Sequence, residues 1–387
     1  MITYVESPSS APRAEALVDL SAVRHNVGVL RAAAPAAEVM AVVKADGYGH
    51  GAVPVAEAAL AAGASWLGVC TLEEAADLRE AGITAPLLSW LHLPDDDFAG
   101  AVAAGVDLSV ASRAHLAAVA AGARRAGRPA RVHLKVDTGM SRNGAQPAAW
   151  DDLLDDAAKA AADGHVEVVA VWSHLANADI PAHPTLDAQA ARLTVAWQAA
   201  RERGFAPIRH LANAAATLTR PDLHFDLVRP GIAVYGLDPL GRPATDSPLR
   251  PAMTLRGRVA LVKRVPAGEG VSYGHEWTTP RETTLALVPV GYADGVPRGL
   301  GRDGRMRVLL GGTLRPVVGR VSMDQVVVDC GDGEGVREGD TAVFFGPGED
   351  GEPTAQDWAD ELGTIHYEIV TGVHGRRVTR TYAGVAE

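Results

Sequence analysis

The eleven residues AVVKADGYGHG, from Ala41 to Gly51, decide how this chain is read. Val42 and Val43 are β-branched and follow Met40 and Ala41, which predicts the end of a buried parallel strand that stops where the glycines begin. Lys44 then stands at the strand's carboxyl end, the end that faces the active site in an α/β barrel. A lysine leaving an apolar strand there is partly desolvated, which frees its amine to act as nucleophile or base. The chain has only four lysines, Lys44, Lys135, Lys159 and Lys263, leaving 32 arginines among its 36 basic residues. Arginine stays protonated and forms no imine at neutral pH, so a lysine at this position points to use of the amine itself. On this string alone, a lysine that snorkels at a strand end beside a glycine turn also accounts for the residues.

Outward from Lys44 the chain repeats one rhythm. An alanine-rich helical stretch, Val53 to Ala62, leads to a short apolar strand, Trp66 to Val69, and a second helix, Leu72 to Ala81, leads to Pro86 to Trp90. Further strands are expected near Asp107 to Val110, Val132 to Val136, Val166 to Trp172, Arg209 to Leu211 and Leu227 to Arg229. With the Lys44 strand these make eight, at the spacing of βα units that close into a barrel. Ahead of them, Ala14 to Leu20 has strand character, and a helix with Val23, Val27 and Leu30 on one face runs on until Pro35.

Beyond Asp238 the segments become short, β-branched and punctuated by Gly, Pro and Asp: Leu255 to Lys263, Thr284 to Val290, Arg305 to Leu310, Leu314 to Val318, Gln325 to Asp329 and Thr341 to Phe345. A helix is expected at Thr354 to Leu362 and a last strand pair within Tyr367 to Tyr382. The expected fold is therefore α/β: an N-terminal (β/α)8 TIM-type barrel over residues 11–240, its first strand open to either domain, and a C-terminal mostly-β domain over 241–387. The stretch Pro239 to Pro251 is the linker.

At 387 residues and 40.3 kDa the chain exceeds the ~250 residues of a lone barrel. A net charge of -11 argues against nucleic acid or an anionic membrane surface as partner. Two distant cysteines, Cys70 and Cys330, point to a reducing compartment without a disulfide framework. The start, MITYVESPSSAPRAEALV, has neither a basic nor an apolar leader segment, and no run of ~20 apolar residues occurs, so a soluble cytoplasmic protein is expected.

Lys44, Tyr48 and the Gly49-His50-Gly51 turn resemble the cofactor signature of alanine racemases, whose lysine holds pyridoxal 5′-phosphate (PLP) covalently. The rest of the chain carries the resemblance in order. HLKVDTGMSRNG puts Lys135 inside an apolar segment and Arg142 a tight turn later. A buried lysine must be neutralised, paired or modified, and an ion pair with Asp137 would satisfy it. KVDTGM followed by arginine matches the racemase motif in which this lysine is carbamylated and orients the arginine toward the cofactor's phenolic oxygen and the substrate carboxylate.

WSHLANAD holds His174, a structural residue on its own terms and, by resemblance, a contact to the pyridine face; Asp179 matches an entrance residue. In FDLVRPGIAVYG, Gly231 and Ile232 can offer two N–H groups to a phosphate. The resemblance gives Arg229 the pyridine nitrogen, where a guanidinium that keeps its proton weakens the ring as an electron sink and disfavours transamination. HLANAAATL departs from the family: Asn213 is present, but Ala214 stands where a phosphate-binding serine is common, a loss worth ~1.5 to 3 kcal/mol unless other donors compensate.

Racemisation needs two acid/base groups flanking one carbon. Tyr273 in VSYGHEW is by residue type an amphipathic packing residue, yet VSYG matches the motif whose tyrosine acts on the L-enantiomer while the lysine handles the D-enantiomer. VGYADGVPR and GRVSMDQ extend the likeness: Tyr292 matches a gate, Met323 an N–H for the substrate carboxylate, Asp324 a support for the catalytic tyrosine, and Arg298 and Arg320 the entrance corridor. Tyr367 matches a phosphate-bonding tyrosine. No metal is implied. The family's head-to-tail pairing implies a homodimer in which Tyr273 serves the partner's Lys44. A non-catalytic PLP-binding protein would not need the domain bearing Tyr273 and Met323, and a PLP decarboxylase would be expected to carry a carboxylate in place of Arg229. A racemase of serine or of broader range stays open.

Overall fold

The computed structural model describes residues 11–243, 246–375 and 377–385. Two compact units share the chain, one from Leu20 to Arg250, the other joining the segment that ends at Asp19 to everything from Pro251 onward. Strand β1 (Ala14–Asp19) thus lies in the second unit, antiparallel to β10 (Met253–Arg258) and parallel to β19 (Val378–Ala383). Its alternation explains the placement: Ala14, Ala16 and Val18 enter the core, while Glu15, also buried, accepts hydrogen bonds from Arg256 Nε and Thr381 Oγ1, both at 2.5 Å.

In the first unit, β2 (Glu38–Val42), β3 (Trp66–Val69), β4 (Leu87–Ser89), β5 (Asp107–Val110), β6 (Ala130–Lys135), β7 (Val166–Trp172), β8 (Ile208–His210) and β9 (Leu227–Val228) form one eight-stranded parallel sheet, ordered β8-β7-β6-β5-β4-β3-β2-β9. Main-chain bonds between its ends close the ring: Asp226 N donates to Arg209 O (3.1 Å) and Arg229 N to Ala212 O (2.9 Å). Met40, Trp66, Leu88 and Leu227 pack together inside. The intervening helices fall where their apolar periodicity and caps put them. Leu20–Ala33 buries Val23, Val27 and Leu30, and Leu72–Glu80 opens on a capping box in which Thr71 Oγ1 accepts Glu74 N and the Glu74 carboxylate accepts Thr71 N.

The second unit is a nine-stranded sheet. With β11 (Leu261–Val265), β14 (Thr283–Val288), β15 (Arg307–Leu310), β16 (Thr313–Val318), β17 (Val326–Asp329) and β18 (Thr341–Phe345), its order is β11-β14-β17-β16-β15-β18-β10-β1-β19. A small ribbon, β12 (Gly270–Val271) with β13 (Trp277–Thr278), brackets Tyr273. Two expectations change here. The run Leu255 to Lys263 is two strands, β10 and β11, split where Val259 N bonds Asp340 O and Ala260 N bonds Leu287 O, so that each half joins a different neighbour. The expected strand pair from Tyr367 is a helix, His366–Thr371, followed by β19 alone. His366, Ile369, Val370 and Val373 are buried at a spacing of three to four, a helical period that outweighs their β-branched composition. Among the described residues no helix is long and apolar enough to cross a membrane.

Candidate active site

Past the end of β2 the backbone reverses hand. Ala45 (φ 52°), Asp46 (φ 50°), Gly47 (φ 61°) and Tyr48 (φ 52°) form a left-handed turn, which disfavours each non-glycine residue by roughly 1–2 kcal/mol. Neighbouring groups hold it. Asp46 Oδ1 accepts Ala52 N (2.9 Å), Gly51 N donates to Asp46 O (2.8 Å), and Tyr235 donates its hydroxyl to Val42 O (2.9 Å) with its ring 4.9 Å from that of Tyr48. Lys44, half-buried, heads this turn with Nζ 5.6 Å from the centre of the Tyr48 ring.

Arg229, just beyond β9, is only 5% exposed. Its Nη1 donates to His210 Nδ1 (2.9 Å), while Nη2 donates to the carbonyls of Ser173 (2.8 Å) and Leu211 (3.2 Å) and to His174 Nδ1 (3.3 Å). With Nδ1 accepting, neutral His210 carries its proton on Nε2 and passes a hydrogen bond to His133 Nδ1 (2.9 Å); His133 Nε2 donates in turn to Asp107 Oδ2 (3.1 Å), whose Oδ1 accepts Arg131 Nε (2.9 Å). The line has one polarity throughout and ends on a carboxylate. Burial lowers Arg229 to about 9, which leaves it charged at neutral pH. Trp172 is the platform of the site: Lys135 Nζ lies 4.2 Å and the Arg229 guanidinium 4.7 Å from its ring, and His210 stacks on it at 5.3 Å.

Burial, then Arg229, hold His210 and His174 well below the ordinary histidine value of 6.5, and burial with His115 holds His92 at about 3. These rings stay neutral in the fold while the unfolded chain binds protons below 6.5. Their contribution is intact above that pH and is lost as pH falls, each at a limiting slope of about 1.4 kcal/mol per pH unit. Urea midpoints measured at pH 7, 6 and 5 are expected to fall steadily; a flat series contradicts neutral buried histidines.

Lys135, last in β6 and 5% exposed, lines a small pocket with Asp137, Met140, Arg142, Asn143, Ser173 and His174. It forms no ion pair with Asp137, whose carboxylate instead accepts Gly139, Met140 and Ser141 N–H (2.9, 3.1 and 3.1 Å) and Gln146 Nε2 (3.0 Å). Burial, then Arg229 and Arg142, push the Lys135 ammonium down to about 7, so that much of it is a free amine at neutral pH. Asp179 is exposed on the loop after β7.

A cradle lies opposite. A Cβ on Gly231 would stand 2.4 Å from the Tyr48 hydroxyl, so only glycine admits Tyr48 there. Among the described residues neither the Gly231 nor the Ile232 N–H donates to a backbone carbonyl. Asn213 caps the helix Ala214–Thr219 by accepting Ala216 N (3.1 Å), which leaves its amide nitrogen for another partner. Amine, cradle and buried guanidinium together suit a phosphorylated pyridine aldehyde such as PLP.

In the second unit Tyr273 is 70% exposed. Ser272 (φ 62°) donates its hydroxyl to Arg320 O (2.8 Å), and the Arg320 guanidinium pairs with Glu276. Tyr292 N and Ala293 N donate to Ser322 O (3.1 Å) and Met323 O (2.9 Å), joining two of the predicted motifs. Asp324, expected to support Tyr273, ion-pairs with Arg377 at 2.5 Å, and Arg377 also reaches Asp294 (3.2 Å). Tyr367 is half-buried on its helix, and Arg298 is exposed. Sequence reasoning did not single out Asp107, His133, His210, Trp172 or Tyr235. The signal available was a polar residue inside an apolar strand, as in RVHLKV and IRHLAN.

A parallel barrel that holds a lysine, a buried arginine and an open main-chain cradle at its strand ends defines an amine-bearing α/β-barrel enzyme. Comparison with known proteins narrows the class. Residues 18–239 match the model for the alanine racemase N-terminal domain and residues 252–382 that for the C-terminal domain. The chain is 58% identical over 373 residues to alanine racemase of Salinispora arenicola, covering 96% of this chain and 99% of that one. Solved alanine racemases of D-cycloserine-producing Streptomyces lavendulae (TM-score 0.93, 51% identity, 98% and 99% of the two chains) and Streptomyces coelicolor (0.92, 52%, 96% and 98%) superpose on it. The chain belongs to the alanine racemase family.

Proposed function

We propose that this protein interconverts L- and D-alanine with PLP, in the cytoplasm, supplying D-alanine for peptidoglycan. The observation that carries the reading is Arg229, a buried cation held by a polarised line of histidines at the barrel mouth beside Lys44's turn and the Gly231 cradle. Bound PLP supplies an electron-withdrawing ring that acidifies the amino acid's Cα–H. Lys44 would hold the cofactor, and its amine, when free, would move the proton on one face of Cα. Tyr273 moves it on the other. Arg229 would donate to the ring nitrogen without surrendering its proton, since a pyridine is a far weaker base than a group at about 9. Gly231 N, Ile232 N, Tyr48, Asn213 and Tyr367 would hold the phosphate, His174 would contact the cofactor, and Arg142 and Met323 would receive the substrate carboxylate. Asp179, Arg298 and Arg320 line the approach, which Tyr292 narrows.

A homodimer brings Tyr273 of one copy to Lys44 of the other. The exposure of Tyr273, Tyr292 (41%) and Met323 (53%) supports a face covered by a second copy. Lys135, about half neutral near pH 7 among Arg142, Arg229 and His174, is suited to take up carbon dioxide as a carbamate with release of a proton, and the carbamate anion would pair with Arg142. In 13C bicarbonate, a carbamate resonance is expected in the parent and absent in Lys135→Ala; its absence from both rejects the modification. The assignment as a whole is tested by a panel of L-amino acids read by chiral chromatography with and without PLP. Alanine is expected to racemise fastest, with serine at least tenfold slower because two tyrosines leave room for little beyond a methyl group. Equal rates overturn the alanine assignment, and no turnover of any substrate overturns catalysis.

A further inference from the structure

The left-handed turn after Lys44 is held from outside by a side chain of the next βα unit. Glu74, in the first turn of the helix Leu72–Glu80, places Oε1 2.6 Å from Ala45 N and Oε2 2.7 Å from Cys70 N and 3.3 Å from Thr71 N. β2 and β3 are neighbours in the barrel and end at Val42 and Val69, so this carboxylate ties two adjacent strand ends together at the point where Lys44 emerges. Helix capping requires only the Thr71 contact, the longest of the three. The shortest goes to Ala45, which belongs to a different element and is the first left-handed residue of the turn.

An L-residue relaxes out of the left-handed region unless something fixes its peptide. Release of the Ala45 amide would let the Lys44–Ala45 peptide rotate, and the lysine side chain would swing with it. Three N–H groups converge on one carboxylate from two sides, and no neutral side chain of equal length accepts on both. Glutamine presents an N–H to one set of donors, and aspartate is a methylene too short to span them.

We propose that Glu74 is a positioning residue that aims the Lys44 amine by clamping the Ala45 amide, an inference that rests on Lys44 as the PLP-binding amine. Two readouts on the full-length enzyme test it: hydrogen exchange of the peptide spanning Lys44 to Gly51, followed by mass spectrometry, and PLP binding by absorbance titration. Glu74→Ala is expected to speed exchange in that peptide about tenfold or more and to weaken PLP binding by a similar factor. Thr71→Val removes the helix cap but not the clamp, so it lowers the melting temperature and leaves both readouts at parent values. Should Glu74→Ala fail to fold, Glu74→Asp, which can still cap the helix as Asp357 does after Thr354 but is a methylene too short to reach Ala45 N, gives the same contrast. Parent-like exchange in the Glu74 variant overturns the proposal, as does Thr71→Val reproducing both effects. A parent that binds no PLP rejects the cofactor reading instead, and the exchange measurement still reports on the clamp.

Discussion

Lys44→Ala lowers alanine racemisation by about 10⁴-fold or more and removes the visible absorbance of lysine-linked PLP. Two losses combine under the proposed roles, in which the same amine tethers the cofactor and carries the proton on one face of Cα, and a positioned acid/base group alone is worth 10² to 10⁴. Lys44→Arg is expected to be as inactive, because a guanidinium stays protonated and cannot form the link. Added methylamine restores part of the activity to the alanine variant, whose side-chain space is open, and none to the arginine variant. Absorbance spectra and chiral chromatography of the same samples decide the matter. The competing amine is Lys135, on the same Trp172 platform as Arg229 and about half neutral near pH 7. Persistence of the link in Lys44→Ala would transfer the role to Lys135.

Tyr273→Phe keeps the ring and removes only the hydroxyl, so the variant retains PLP while exchange of the L-alanine α-proton with D2O slows by about 10² to 10⁴-fold. Exchange from D-alanine, assigned to Lys44 in the proposed mechanism, is expected to stay within a few-fold of the parent. Proton NMR of each enantiomer in D2O separates the two faces. Unchanged exchange from L-alanine would remove Tyr273 from the reaction. Co-expression extends the test to the dimer. In a mixed pair of a Lys44→Ala chain and a Tyr273→Phe chain, shared sites give one site with both lesions and one with neither, so activity returns to up to half of the parent. If each chain supplied both bases to its own site, the mixture would be as inactive as its components.

The positions of the candidate residues were legible in the sequence, their proposed roles only through the resemblance of their motifs. Lys44, Arg229, Gly231 and Tyr273 are unusual residues at strand ends, and strand ends are visible as apolar runs halted by Gly, Pro or Asp. The Asp107–His133–His210 line was not, because its members lie on three strands far apart in the chain and meet only inside the barrel. The helix carrying Tyr367 was misread as strand since a six-residue window of β-branched and aromatic residues satisfies both patterns until burial selects the period. Asp324 matches a support for Tyr273 by motif, and the fold adds what the motif does not show, an ion pair with Arg377 more than fifty residues away in sequence.

The sequence by itself determined the eight-strand rhythm and the passage into a β unit near Asp238, because periodicity is a local property, and it marked Lys44 by residue type and Arg229 and Tyr273 by resemblance of their motifs. Only the tertiary structure decided that β1 joins the second unit, that Lys135 stands free of Asp137, and that Glu74 reaches the amide beside Lys44. Each of these depends on which polar groups are brought within hydrogen-bonding distance once strands pair, and that distance is set by the closed sheet as a whole rather than by any stretch of chain.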